Sequence, residues 1–357
     1  MACARDGPTS SRSGSRFAIG AGGKKMNTKS LIERRIFCRK VQGIAAALLP
    51  YEPDGRISVG TFQRHLHDTH RTGLINAVNM DTGYVNYLEE EERQDVLRWT
   101  RDALGKGVPF VAGAYIEGQT GDLVALYRRQ MDAIVNYDGT PILFQTSRLH
   151  GKTPREKVAV YQEAARGYSH VLAFELGSMF APNGEIFDQE TFLRLMDIPE
   201  IKGLKHSSLD RLVELERLRL RDAHRPDLRI YTGNDLGINM IEYGSDYLLG
   251  LATFAPEKFF ERDKLWERGD AAYYALSDSL QHLGNVAFRQ PVPAYKHSAA
   301  VFLHLVGRIP SSLSHPKSAQ RPLWEREMLG DCAIRLGYEL PKEDRRAGNG
   351  GSRAGVA

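Results

Sequence analysis

The chain has 357 residues, 42% of them hydrophobic and 26% charged, which is enough for one large core and is the composition of an ordinary globular protein. No uninterrupted apolar run approaches the roughly 18 residues that a membrane-spanning helix needs, so we expect no membrane partner. The cysteines, Cys3, Cys38 and Cys332, are far apart and form no CxxC pair, which argues against a disulfide framework or zinc ribbon and favours the cytoplasm.

The net charge of +4 is unevenly distributed. Residues 1–40 hold ten Lys and Arg against Asp6 and Glu33, a balance of +8, so the rest of the chain carries about −4, the difference from +4. A nucleic-acid-binding protein places its basic residues on the folded body, and we therefore expect no nucleic-acid partner.

The two ends of the chain are predicted to be tails. Residues 1–40 form a basic, largely disordered segment, because residues 1–25 are rich in Arg, Ser and Gly. A transit peptide and a translation start at Met26 are the two alternatives for this segment. Residues 341–357 are polar and Gly-rich, and we expect them to be disordered as well.

Eight short apolar runs separated by helix-length polar segments lie between the tails, a pattern typical of parallel strands joined by helices. No dinucleotide-binding motif interrupts them, which favours a closed barrel over an open doubly wound sheet. We predict an α/β fold, a (β/α)8 TIM barrel over residues 41–256 with a C-terminal helical extension over 257–340. The predicted strands are Gly43–Leu49, Leu74–Asn79, Pro109–Ala114, Pro141–Gln145, His170–Glu175, Ile201–Lys205, Arg229–Thr232 and Tyr247–Ala252.

Two of the connecting helices have clear start signals. Glu89–Leu104 is amphipathic and carries acidic residues in its first turn, where they suit the positive end of the helix dipole. Thr153–Arg166 has Pro154 in its first turn, a position that proline favours. Both segments are predicted to be helices of the barrel.

Lys205 is the first candidate functional residue. Functional groups of such barrels lie at the C-terminal ends of the strands, and Lys205 ends the predicted strand of the segment IKGLKHSS. Burial beside apolar neighbours disfavours the ammonium form, lowers the pKa of the amine and leaves a neutral nucleophile for a carbonyl carbon. The alternative is a structural lysine that reaches solvent past the strand end.

The segment IKGLKHSS resembles the one that holds the Schiff-base lysine in the dihydrodipicolinate synthase / N-acetylneuraminate lyase family of class I aldolases. The resemblance covers roughly residues 41–340, and its specificity lies in the order of several motifs rather than in any one of them. The other motifs, in chain order, are GIAAALLPYEPDGRIS, NMDTGYVNYLEEEER, VPFVAGAY, YTGNDLGINMIEYGSDYLLGLATFAPEKFF and PVPAYKHSAAVFLHLVG.

The resemblance assigns roles to three residues. Lys205 matches the imine-forming lysine. Thr82 matches the second threonine of the family's Thr-Thr pair, whose hydroxyl and backbone N–H hold the carboxylate of a pyruvate-like substrate, and Gly83 matches the glycine of that turn. The alternative for Thr82 and Gly83 is an ordinary strand-to-helix turn.

Three positions depart from the family. Asp81 replaces the first threonine, and its carboxylate would repel a substrate carboxylate unless it is protonated or paired. Tyr84 replaces a glutamate. Phe174 stands where the family has a tyrosine that relays protons, which phenylalanine cannot do, so the lysine-biosynthetic reaction itself is not expected.

Another group must therefore perform acid–base chemistry. The candidates near the mouth are Tyr115, Glu175 and Tyr84, each with packing or solvation as its alternative role. Arg148 and His150 are candidates for binding an acidic substrate group. A metal cluster would have to be built from Asp81, Glu175, His206 and Asp235, but no HxH, HExxH or DxD spacing supports it, and we predict no metal and no cofactor.

The residues and the resemblance together predict a Schiff-base-forming lyase, either an aldolase or a dehydratase, acting on a 2-oxo acid or related small carbonyl compound through Lys205. Two alternatives stay open: a non-catalytic descendant that binds a small metabolite, and a metal-dependent barrel enzyme. The resemblance also implies a homodimer or homotetramer.

Overall fold

The computed structural model describes residues 34–341, in which eight parallel strands form one closed barrel in chain order. The predicted (β/α)8 barrel is confirmed, and every strand lies within or close to its predicted range. The strands are β1 Gly43–Ala46, β2 Ile75–Val78, β3 Phe110–Ala114, β4 Thr140–Leu143, β5 Val171–Leu176, β6 Ile201–Ser207, β7 Arg229–Thr232 and β8 Asp246–Leu249.

Helices follow seven of the eight strands, whereas a 3-10 helix, Ile238–Tyr243, follows β7. Both helices predicted from their start signals are present, and each begins with a capping box, in which Glu89 pairs with Glu92 and Thr153 with Glu156. The barrel helices are α1 Val59–Thr72, α2 Glu90–Leu104, α3 Leu123–Asn136, α4 Pro154–Ala165, α5 Gln189–Met196, α6 Arg211–His224 and α7 Pro256–Arg268.

The helical extension consists of α8 Ala272–Ala287, α9 Tyr295–Leu305 and α10 Glu325–Arg335. Helix α7 follows β8 and lies beside α1, so it closes the ring of helices around the barrel. The predicted boundary at residue 256 therefore falls at the start of the last barrel helix, and the extension proper begins at α8.

Residues 34–40, the end of the predicted basic tail, lie against the barrel. Arg39 donates a hydrogen bond of 2.7 Å to Asp246, and Arg35 pairs with Glu242 at 2.9 Å. Residues 1–33 and 342–357, with the disorder predicted for them, lie outside the described residues.

Cys332 is buried and has a free thiol. No helix between residues 34 and 341 is both long enough and apolar enough to cross a membrane.

The pairing of β5 with β6 decides which side chains can meet inside the barrel. Phe174 lies opposite Lys205, and Glu175 lies opposite His206. Successive side chains of a strand point to opposite faces of the sheet. The first pair therefore faces the barrel interior, and the second faces the surrounding helices.

Candidate active site

Lys205 is buried at the end of β6, with only 7% of its surface exposed. Its Nζ lies 4.4 Å from the centroid of the Phe174 ring, over the ring face. Burial lowers the pKa of the amine to about 8, although the negative charges of Asp235 and Asp81 act in the opposite direction. A substantial fraction of the Lys205 amine is therefore neutral near physiological pH.

Asp235, in the loop after β7, is the buried carboxyl group that acts most strongly on Lys205. Its Oδ1 accepts a hydrogen bond of 2.7 Å from the backbone N–H of Leu251. Burial raises the pKa of Asp235 to about 7, against the lowering effects of that hydrogen bond and of Lys205. The two groups therefore influence each other's charge, and both change protonation state near neutral pH.

From the sequence, Asp235 was a candidate only as a metal ligand. The signal that could have found it is its position in the Gly-Asn-Asp segment directly after β7. That position puts it at the same mouth of the barrel as Lys205.

Asp81 begins the 3-10 turn Asp81–Gly83 and is paired rather than free. Its Oδ1 accepts a hydrogen bond of 2.9 Å from Lys296 Nζ, and its Oδ2 accepts one of 2.9 Å from the Tyr295 hydroxyl. A carboxylate at this position needs a charged partner. Lys296 is that partner, and its side chain is itself buried.

Thr82 joins the same cluster through its hydroxyl, which lies 2.8 Å from the Tyr295 hydroxyl. Gly250, after β8, leaves room for both side chains, because a Cβ there would lie 3.0 Å from Tyr295 and 3.2 Å from Thr82 Oγ1. We name the four residues Asp81, Thr82, Tyr295 and Lys296 the turn cluster.

Tyr295 and Lys296 are functional candidates that the sequence analysis missed. Both lie in the first turn of α9, within the motif PVPAYKHS, which marked the extension without suggesting a site role. The signal that could have identified them is a Tyr-Lys pair at the start of a largely apolar helix. A lysine that is buried in such a helix requires a carboxylate or another polar group as its partner.

The tyrosine candidates contact other aromatic rings. Tyr84 has a left-handed backbone (φ 60°) and is fully buried, and burial raises the pKa of its hydroxyl well above the usual value. Burial likewise raises the pKa of Tyr115 to about 12. Its ring packs edge-on against Phe144, which packs edge-on against Phe174. At neutral pH both hydroxyls keep their protons.

Glu175 is not beside the Lys205 amine, and the prediction that it serves as an acid–base group there is wrong. It faces the helix layer, where it accepts hydrogen bonds from His206 Nδ1 at 2.6 Å and Arg217 Nε at 2.9 Å. Burial alone would raise its pKa, but His206 and Arg217 lower it to about 2. The reason is strand alternation: Phe174 takes the inner position, so its neighbour points outward.

Arg148 is exposed and joins two loops. Its guanidinium donates hydrogen bonds to the carbonyl oxygens of Gln119 (3.2 Å) and Gly121 (2.6 Å). His150 contacts the Asn183 carbonyl oxygen at 3.1 Å. None of these contacts involves Lys205 or the turn cluster, so the structure does not bring Arg148 to the site.

The four residues considered as metal ligands are divided between two sides of the sheet. Glu175 and His206 face outward, whereas Asp81 and Asp235 act on Lys205 from the mouth. Within residues 34–341, no group of three or more His, Cys, Asp or Glu side chains is arranged to hold a metal ion.

Solved structures of the dihydrodipicolinate synthase family share this fold. A prophage protein of that family from E. coli K12, in complex with pyruvate, aligns with a TM-score of 0.72 and 16% identity over 84% of this chain and 99% of its own. Dihydrodipicolinate synthase from Thermotoga maritima aligns with a TM-score of 0.71 and 16% identity, again over 84% and 99%. The fold is thus a (β/α)8 barrel of the dihydrodipicolinate synthase class.

The chain belongs to the DUF993 family, because the model described as "Protein of unknown function (DUF993)" matches residues 61–315, more than half of the chain. It is also similar to 4-hydroxy-tetrahydrodipicolinate synthase of Synechococcus sp. (strain WH7803), with 27% identity over 214 residues, 59% of this chain and 67% of the relative. The similarity to this relative and the shared fold agree with the resemblance to the dihydrodipicolinate synthase family that the sequence motifs carry.

Proposed function

We propose that the protein is a Schiff-base-forming lyase, either an aldolase or a dehydratase, that acts on a 2-oxo acid or related small carbonyl compound through Lys205. The observation that carries the proposal is the buried Lys205 amine with its lowered pKa beside Asp235, a carboxyl group whose pKa is raised. A dry amine and a nearby acid of similar pKa are the groups that imine chemistry requires.

The neutral amine attacks the carbonyl carbon, a C–N bond forms, and the carbonyl oxygen takes up a proton to become a hydroxyl group. That hydroxyl leaves as water, which gives the protonated imine. The imine then accepts the electron pair released when a bond at the neighbouring carbon breaks. In cleavage, the hydroxyl group on the next carbon gives up its proton, that carbon leaves as a carbonyl compound, and the enamine that remains takes up a proton at the neighbouring carbon. In dehydration, the neighbouring carbon loses a proton and the hydroxyl group of the next carbon takes one up and departs as water. Hydrolysis finally returns the free amine.

In the proposed reaction, Asp235 transfers the protons that a tyrosine transfers in the family that the chain resembles. Phe174 packs under the Lys205 amine but has no proton to exchange. Asp235 has a pKa raised to about 7, so it can give a proton to the departing hydroxyl and take one from the neighbouring carbon within one turnover. The raised pKa values of the Tyr84 and Tyr115 hydroxyls prevent that exchange at neutral pH.

The test of the proposal is reductive trapping. Incubation with cyanoborohydride and a panel of small ketones, aldehydes and 2-oxo acids should leave a reduced adduct on Lys205, located by peptide mass spectrometry. The rate should rise with pH through about 8, because only the neutral amine attacks.

Lys205→Met should remove the adduct, and Lys202→Arg, on the same strand, should retain it. Lys296 should not be labelled, because its ammonium group is ion-paired with Asp81. Absence of an adduct across the panel in a folded protein, or an adduct on Lys296 alone, would contradict the proposal.

A second expected result concerns Gly233, which lies after β7 and leaves room for the lysine. A Cβ at this position would overlap Ser207 Oγ and come within 2.8 Å of Lys205 Cε. Gly233→Ala should therefore displace the amine and slow trapping by about 10²-fold, the order of loss that a misplacement near 1 Å causes. Gly237→Ala in the same loop is the matched control, and equal trapping rates in the two variants would argue against this role for Gly233.

The proposal includes a cytoplasmic homodimer or homotetramer. Its support is the family resemblance, together with the large apolar side chains of Leu323 and Trp324 that the extension leaves exposed.

A further inference from the structure

We infer that the group beside the reacting carbonyl of the substrate is a hydroxyl group rather than a carboxylate, so the substrate is a hydroxylated ketone or aldehyde. The inference rests on the proposed function, because it places the carbonyl carbon at Lys205. Its basis is the way in which the hydrogen-bond donors and charges of the turn cluster, Asp81, Thr82, Tyr295 and Lys296, are already paired with one another.

The turn cluster and Lys205 belong to one site. Gly233, two residues before Asp235, lies against Lys205, since a Cβ there would be 2.8 Å from Lys205 Cε. Asp235 accepts a hydrogen bond of 2.7 Å from the backbone N–H of Leu251, and Gly250, next to Leu251, lies against Thr82 and Tyr295. A small molecule joined to Lys205 therefore places its neighbouring substituent against the turn cluster. In the family that the chain resembles, the corresponding turn holds the substrate carboxylate.

The hydroxyl protons of Tyr295 and Thr82 are already used in hydrogen bonds within the turn cluster. Tyr295 has one proton, and its hydroxyl lies 2.9 Å from Asp81 Oδ2, a carboxylate oxygen that can only accept. Tyr295 therefore donates to Asp81. The contact of 2.8 Å between Tyr295 and Thr82 must then be a hydrogen bond donated by Thr82, which spends the only proton of that hydroxyl. Toward the substrate, Thr82 Oγ1 presents lone pairs only.

The positive charge of the turn cluster, on Lys296, is also already paired. Lys296 is buried, and its ammonium group lies 2.9 Å from Asp81 Oδ1. A substrate carboxylate could still accept a hydrogen bond from the Thr82 backbone N–H, but it would meet a neutralised lysine, an acceptor hydroxyl and the carboxyl groups of Asp81 and Asp235, which is an unfavourable setting for a further anion. A substrate hydroxyl would instead donate its proton to Thr82 Oγ1 and complete the hydrogen bonding of the cluster.

Two ketones that differ only in this group test the inference: hydroxyacetone, with a CH2OH group, and pyruvate, with a carboxylate. Their trapping rates on Lys205 are measured with cyanoborohydride, and each is divided by the rate with a free lysine peptide to remove the intrinsic reactivity. We expect hydroxyacetone to be trapped at least about tenfold faster on this scale, since pyruvate leaves a buried acceptor unpaired.

Tyr295→Phe should lower that ratio, because the Thr82 proton becomes free to hold a carboxylate. Asp81→Asn should lower it further and favour pyruvate, because Lys296 loses its counter-ion. Circular dichroism and thermal unfolding check that each variant is folded.

Equal normalised rates for the two ketones, or a ratio unchanged in both variants, would overturn the inference while leaving the proposed function intact. If neither ketone nor any other carbonyl compound is trapped on Lys205 of the folded protein, the proposed function itself fails.

Discussion

Replacing Asp235 by Asn should lower turnover by about 10²–10⁴-fold, the usual contribution of a general acid–base group, while Lys205 can still be trapped as an adduct. The amide keeps the shape of the side chain but cannot exchange a proton at the substrate carbon. Imine formation depends first on the neutral amine, which remains. Steady-state kinetics and adduct mass spectrometry on the same preparation separate the two effects.

The Asp235→Asn variant should also change the pH dependence of trapping. The negative charge of Asp235 raises the pKa of Lys205, opposing the effect of burial. Without that charge the pKa of the amine falls, so the midpoint of the trapping profile moves below its wild-type value near 8. Asp222→Asn, at a half-exposed position on α6, should leave both turnover and profile unchanged. Full turnover in Asp235→Asn would exclude Asp235 as the proton-transfer group.

Replacing Arg217 by Ala should reduce the free energy of unfolding by about 3–5 kcal/mol, because it removes two of the hydrogen bonds to the buried carboxylate of Glu175 and leaves His206 as its remaining side-chain partner. Arg217 binds Glu175 through Nε (2.9 Å) and Nη2 (3.1 Å), and both side chains are inaccessible to solvent. Urea denaturation followed by circular dichroism measures the change. Arg219→Ala, which removes a half-exposed pair with Glu216 on the same helix, should cost less than about 1 kcal/mol.

The same carboxylate makes a pH-dependent contribution to stability. The pKa of Glu175 is about 2 in the folded protein against an ordinary value of 4.5. Because the folded-state pKa is the lower one, the stabilisation is complete above about 4.5 and is lost as the pH falls toward 2. Removing Arg217 should therefore flatten the acid side of the stability profile. A variant as stable as the wild type, with an unchanged acid side, would show that the pair contributes nothing.

The barrel was predictable from sequence because each strand is a short apolar run bounded by polar, helix-length segments. The direction of each side chain was harder to predict. All six residues of β5 are buried, since one face packs inside the barrel and the other under helices. The apolar pattern therefore does not alternate, and nothing local distinguishes Phe174 as inward from Glu175 as outward.

Lys205 was recognisable because its position at the end of an apolar strand and its family resemblance agree. The partners of Asp81 were not recognisable, because Tyr295 and Lys296 lie more than two hundred residues further along the chain. Asp235 needed the folded structure for another reason. Its raised pKa comes from burial, against the lowering effect of Lys205, and neither burial nor distance is visible in the order of the residues.

The pairing of Asp81 with Lys296 has a consequence for the order in which the polypeptide is made. The turn that contains Asp81 is synthesised early, and the barrel ends with α7 at Arg268, before helix α9 begins at Tyr295. Until Lys296 emerges, the nascent barrel holds an acidic residue at its mouth without its cation. The turn cluster is completed only when the extension docks, so a barrel released before α9 is synthesised would carry Lys205, Asp235, Asp81 and Thr82 but not Tyr295 and Lys296.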